Sequence, residues 1–461
     1  MNKKLFLVLF FLSGFYARAN AQVIAAGQWH SLSVCSDNTA RSWGWNGYGQ
    51  LGDGTTSDRW TPVQINTLTG ITAVASGYRH SLLLKNDGTV WTCGQNWYGQ
   101  LGDGTTTDRW TPVQLNSPTG ITAIAGGGYN GGSHSLFLKN DGTVWSCGWN
   151  YHGQLGDGTT TQRNNPVQVN SLIGITTVAD GGFHSLFLKN DGTVWTCGNN
   201  ANGQLGDGTT TNRLTPVQVN SLTGIIAVAG GTGHSLFVKN DGTVWACGGN
   251  SSGQLGDGTT FQRHTPVQVN SLTGIIGVAG GWEHSLFVKN DGTVWACGFN
   301  NHGELGDGTT INRSTPVQVN SPTGITAVAG GDYHSLFLKN DGTVWACGEN
   351  QYGALGDGTT TDRWTPVQVT GLCQVSTAIA EQQQENGFQI SPNPTSGQLL
   401  IDRGELKIES VEIYNVLGEK IYSSPNHQQK SIINLNAPSG IYFVQLRSNE
   451  QTFMQKIILS K

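Results

Sequence analysis

Seven His-Ser pairs carry the first chemical option in this sequence: His30, His80, His134, His184, His234, His284 and His334 are each followed by serine. A histidine beside a serine invites a base-and-nucleophile reading. The spacing argues otherwise. Successive histidines stand 50 residues apart, except for one gap of 54 between His80 and His134. A catalytic constellation belongs to one place in the chain and adds an orienting third group. A pair repeated in every unit serves the unit. Arg59, Arg109, Arg163, Arg213, Arg263, Arg313 and Arg363 keep the same beat and take the same structural assignment. The aspartate of each Gly-Asp-Gly-Thr-Thr run suggests calcium, but one carboxylate per loop is too few ligands, and Asp-Gly turns need no metal.

Cysteine chemistry is also constrained by register. Cys93, Cys147, Cys197, Cys247, Cys297 and Cys347 occupy one position in successive repeats. Equivalent positions in neighbouring repeats should exceed the roughly 7 Å Cα separation a disulfide tolerates, so these read as small buried apolar residues. No Cys-x-x-Cys pair supports zinc. Cys35 and Cys373 stand outside the register and are the one pair open to a disulfide; the sequence leaves their pairing undecided. No cofactor and no metal is expected.

Seven units of about 50 residues mean a repeat architecture in which each unit is too small to bury a core alone. Taking the unit at Gly174, Ile175 to Ala179 reads as a strand, and His184 to Lys189 as a second. Asn190-Asp191-Gly192 is a tight hairpin, Thr193 to Cys197 a third strand, and Val217-Gln218-Val219 a short fourth. Four strands per unit without a helical period predict propeller blades. The first repeat departs from the rest. Asp37-Asn38 replaces Asp-Gly, a swap the turn accepts because Asn tolerates the left-handed region. Arg41 replaces the strand Trp and Trp43 the Cys, which marks a weakly specified terminal blade. The last repeat ends after Val367-Gln368-Val369, and Val23 to Gly27 resembles the strand that would follow. The N-terminal strand is therefore expected to close the ring by completing the last blade. Trp91, Trp145, Trp195, Trp245, Trp295 and Trp345 are expected as the core between blades.

The address is legible too. Lys3 and Lys4, an apolar run from Leu5 to Phe15, and Ala19-Asn20-Ala21 form a signal peptide over residues 1–21. No later segment is long and apolar enough to span a bilayer as a helix. A net charge of −5 disfavours nucleic acid, which calls for a basic face.

The words from His184 to Gly198 and from Asn200 to Gly206 resemble the regulator of chromosome condensation repeat family. The resemblance spans residues 22–372 and implies an all-β, seven-bladed β-propeller. The family's founding activity, guanine nucleotide exchange on a nuclear GTPase with chromatin binding, does not suit an exported acidic chain. Secreted bacterial members include a β-lactamase inhibitor protein, which implies a binding role. Photoreception is not expected, because the Trp-Arg-His words of the family's plant ultraviolet photoreceptor are only partly echoed, at Gly77-Tyr78-Arg79-His80 and Gly281-Trp282-Glu283-His284. Residues 373–387 read as a Gln-rich linker. Residues 388–461, with Val411 to Gly418, Gly440 to Leu446 and Lys456 to Leu459 as strands, look like the type A C-terminal sorting domain of the type IX secretion system. That implies a small β-sandwich and delivery to the outside of a Gram-negative cell.

Function must lie where the repeats differ. Three variable groups do so, before each His, after each Cys-Gly, and within Asn-x-x-Gly. In an up-and-down blade alternate connections share a face, so all three groups should emerge together, opposite the uniform hairpins. The candidate binding residues are Trp29, Tyr78, Arg79, Trp97, Tyr98, Tyr129, Trp149, Tyr151, Phe183, Trp282, Phe299, Tyr333 and Tyr352. Such composition suits recognition of an extracellular protein or glycan. The alternative is a polysaccharide-degrading enzyme using Glu283, Asp332 and Glu349 on the same face.

Overall fold

The computed structural model describes residues 23–65, 68–373, 389–391, 395–402, 408–415, 419–425, 430–447 and 452–459. The expected signal peptide, most of the linker and Pro392 to Pro394 lie outside them. The chain divides into two compact units between Gln374 and Val375.

The first unit contains seven antiparallel four-stranded sheets, each built from strands consecutive in sequence. Blade 1 comprises Ile24–Ala26, His30–Val34, Ala40–Gly44 and Arg59–Gln64. Blade 7 comprises Ile325–Gly330, His334–Lys339, Val344–Gly348 and Arg363–Gln368. The first strands touch one another around the ring and so line its axis. The second strand, His184–Lys189 in blade 4, matches the sequence reading residue for residue. The outer strand is longer than expected, Arg213–Gln218, and begins at the repeated arginine. It contains Pro216, which an outer edge strand tolerates because the missing N–H faces no partner.

Alternation along the second strand divides each blade between its two neighbours. Phe187 and Cys197 join Leu136, Leu138 and Val144 of the preceding blade. Leu186, Leu188 and Val194 meet Phe237 of the following one. Phe137, Phe187, Phe237, Phe287 and Phe337 are fully buried. The strand tryptophans, expected as this core, are instead half-buried along its border, as Trp195 is beside the Phe187 cluster. The branched and aromatic second strand fills the interface; the bulkier indole is left to cover its edge.

The N-terminal strand corrects the expected closure. Ile24–Ala26 pairs with His30–Val34 of its own blade, not with blade 7, which supplies an inner strand of its own. A repeat carries no phase in sequence, and the strand pairing sets it. The ring closes by packing: Asp332 N–H donates to Gly27 O at 3.1 Å, and Cys35 and Cys373 form a disulfide. Nor is blade 1 weakly specified. Its Asn38 adopts φ 60 in the hairpin, as expected, and its Trp43 is fully buried against Leu336, Val344 and Leu355 of blade 7.

The second unit has a three-stranded sheet (Gln389–Ser391, Gln398–Asp402, Lys430–Asn434) and a four-stranded one (Lys420–Pro425, Ser410–Asn415, Gly440–Arg447, Thr452–Leu459). Leu399, Ile401, Ile413, Val444 and Leu446 are among its core residues.

Candidate functional site

The repeated polar residues form a structural ring. Each His Nε2 meets the serine of the next blade, from His30 to Ser81 at 3.1 Å through to His334 and Ser31 at 2.8 Å. The serine hydroxyl donates to a backbone oxygen, Gln50 O for Ser81 at 2.7 Å. The serine therefore accepts from Nε2–H, the opposite of what a base beside a nucleophile requires. Burial pushes His30, His80, His184, His284 and His334 down to about 3, and His234 to about 4. The loop aspartates are likewise committed. Asp53 Oδ1 accepts from Asn46 Nδ2 and Thr55 Oγ1, and Oδ2 pairs with Arg59 at 2.7 Å. Burial also raises the register thiols, Cys93 to about 12, so they are neutral at physiological pH.

The ring axis holds only about 60 Å³ of free space among the glycines that end the inner strands. That is too small for an organic substrate, and recognition must lie on a face. The 54-residue gap acquires a meaning here. Blade 3 extends its first two strands, Ile121–Tyr129 and Gly132–Lys139, past the others. A two-residue turn joins them, Asn130 at φ 48 and Gly131 at φ 91, the pairing that favours a tight hairpin. The hairpin reaches across the ring, where Tyr129 stacks on Trp282 of blade 6 at 6.5 Å and 16°.

The structure places every candidate residue in one network of ring contacts. Trp97 meets Tyr48 at 5.3 Å, Tyr48 meets Trp45, and Trp45 meets Trp29 at 5.5 Å. Trp29 continues to Tyr352 and Tyr333, and Tyr333 to Trp282, beside which lies Phe299. Tyr129 then links to Tyr78 and Phe183, and Phe183 to Trp149 at 4.7 Å, flanked by Tyr98 and Tyr151. Arg79 lies over the Trp45, Tyr48 and Tyr78 rings, 5.1, 5.4 and 4.8 Å from their centroids. Its Nε donates to Gln28 Oε1 at 2.9 Å. Tyr151 is 70% exposed and Trp97 49%, whereas Tyr78 is 8% exposed and supports the network from beneath.

Two of the three acidic candidates are engaged. Glu349 accepts from Trp29 Nε1 at 2.8 Å, and Glu283 from Ser252 Oγ at 2.6 Å. Asp332 is buried, which raises it to about 7. Sequence reasoning missed Glu304, also buried and raised to about 7 by desolvation; its signal was the broken Gly-Gln-Leu-Gly word at Gly303-Glu304. It missed Trp364, Trp60 and Trp110 too, 54, 54 and 53% exposed on the outer strands of blades 7, 1 and 2. These are consecutive around the ring but scattered along the chain.

The RCC1-like domain model matches residues 129–391, and regulator of chromosome condensation (RCC1) repeat models match 42–84, 87–138, 22–50 and 71–100. The chain belongs to the RCC1-like domain family. The RCC1-like chain is similar to the ultraviolet-B receptor UVR8 of Arabidopsis thaliana, 32% identical over 149 residues, 32% of this chain and 34% of the receptor. It is similar to the secretion-regulating guanine nucleotide exchange factor of Mus musculus, 41% identical over 56 residues, 12% of each chain. The matches thus span about a third and about an eighth of those relatives' lengths. Human WBSCR16 superposes with TM-score 0.64 at 25% identity, covering 71% of this chain and 92% of that one. Yeast RCC1 (Prp20), solved with Kap60, gives TM-score 0.64 at 19% identity, covering 85% and 93%, and shows the shared fold. Residues 389–460 of the RCC1-like chain match the secretion system C-terminal sorting domain, which marks type IX export to the surface or extracellular space of Bacteroidetes. Among the described residues, no helix is long and apolar enough to cross a membrane.

Proposed function

We propose that this exported propeller is a recognition module that holds an extracellular protein or glycan on its aromatic face. One observation carries the reading: residues from all three variable groups converge in a continuous ring network that bridges the propeller through Tyr129 and Trp282. Half-buried rings locked by neighbours lose little freedom on binding, which favours an anchor role. Relatives of this chain include a receptor and an exchange factor, in keeping with a non-enzymatic reading. The test is affinity capture with the full chain beside Trp97→Ala/Trp149→Ala/Trp282→Ala. A hot-spot ring should cost about 2 kcal/mol or more. A partner held equally by both proteins refutes the placement.

The alternative, polysaccharide degradation by Glu283, Asp332 and Glu349, draws on Asp332, whose buried carboxyl at about 7 suits a general acid. Replacing the three by Gln, Asn and Gln should then abolish a detectable glycanase activity; unchanged turnover eliminates it.

A further inference from the structure

The aromatic network skips blade 5. Where other blades carry Phe183, Tyr333, Trp149 or Phe299, blade 5 carries Gly233 before its His and Gly249 after its Cys-Gly. The omission leaves a cavity of about 500 Å³. Tyr129 and Trp282 wall one side, and Asn202, Gln262, Glu283 and the 72%-exposed Phe261 line the rest. Its volume falls in the roughly 300–1,000 Å³ range of small-ligand sites.

We infer that this cavity is a subsite for a neutral sugar, the terminal mono- or disaccharide of a glycan. The inference rests on the aromatic face as the binding surface and narrows its ligand. Tyr129 and Trp282 supply aromatic wall for the C–H groups of a pyranose. Asn202 and Gln262 supply amides, and Glu283 a carboxylate, for vicinal hydroxyls. Two serines hold Glu283 in place. Ser252 Oγ donates to Oε2 at 2.6 Å and Ser251 Oγ to Oε1 at 3.2 Å, leaving acceptor capacity on each oxygen. Among the described residues, no Lys or Arg lines the cavity. A lone carboxylate without a cation disfavours uronates, sulfates and phosphates.

Gly249→Phe fills the cavity with the residue that blade 6 carries as Phe299. A Cβ there would sit 3.3 Å from Gly233 O, so the Gly233 backbone must yield by a few tenths of an ångström, and a melting curve of Gly249→Phe checks that the blade keeps its fold. The full chain, Gly249→Phe and Trp97→Ala are each titrated, by calorimetry and tryptophan fluorescence, against an array of neutral hexose, N-acetylhexosamine and deoxyhexose oligosaccharides beside uronate and sulfated ones. The expected result is neutral-sugar binding, about tenfold or more weaker in Gly249→Phe and weakened less in Trp97→Ala, whose ring lies on the same face but does not line the cavity. Binding equal in parent and Gly249→Phe overturns the subsite. So does a preference for the anionic sugars, or no neutral-sugar binding across the array. A peptide partner weakened by Gly249→Phe overturns the sugar class. Binding lost only in Trp97→Ala removes the subsite while leaving the aromatic face standing.

Discussion

Trp43 in the first blade donates its indole N–H to the backbone oxygen of Ala354 in the last, at 2.8 Å, across 311 residues of chain. Three departures from the repeat meet at this seam. Ser33 stands where blades 3 to 7 have Phe, Trp43 where the other blades have Cys, and Ala354 where blades 1 to 5 have Gln. Bulk has moved from the second strand to the third, and the facing loop has shrunk. Trp43→Ala should cost about 3–5 kcal/mol in urea unfolding. Ala354→Gln alone should destabilise, whereas Trp43→Cys with Ala354→Gln should recover part of the loss. Strict additivity of the two would show that the positions are independent.

The Cys35–Cys373 disulfide ties positions 338 residues apart, on the first blade and just past the last. In the chain-entropy view, closing a loop of that size stabilises by about 6 kcal/mol. Cys35→Ser should lower the urea midpoint by a corresponding amount, and reductant should do the same to the parent but not to the variant.

Acid should open the propeller. His30, His80, His184, His284 and His334 sit near 3 when folded and near 6.5 when unfolded. Between those values the unfolded chain binds more protons, so their stability is present above pH 6.5 and lost as pH falls toward 3. The melting temperature should fall steeply from pH 6.5 to 4. A flat profile would contradict neutral imidazoles at these five positions.

Glu304 runs the other way. Its carboxyl is raised from 4.5 to about 7 by burial, so its contribution is present below pH 4.5 and lost as pH rises through 7. Gln, the residue of blades 1 to 5 at this register, keeps the acceptor that His302 N–H uses. Glu304→Gln should raise stability at pH 8 by about 1–3 kcal/mol and change little at pH 4.5. Thermal melts at both values check it.

Much of this molecule is legible in sequence because a repeat averages out local ambiguity. The strand His184–Lys189 and its Asp-Gly hairpin recur until only one reading fits, and residue type alone places Asn38 in the left-handed region. The outer strand Arg213–Gln218 reads short because Pro216 argues against a strand unless the edge is known to be free. Trp195 reads as core because hydrophobicity predicts burial, whereas the width of the blade interface assigns that place to Phe187.

The sequence by itself determined the number of blades, the shared face of the variable loops and the sorting tail, since each depends on patterns local in the chain. Only the tertiary structure decided which blade owns Ile24–Ala26, that Cys35 pairs with Cys373, and that Tyr129 reaches Trp282. These relationships join residues far apart in sequence. They depend on how a closed ring brings its first and last blades together, and on which distant loops its curvature sets side by side.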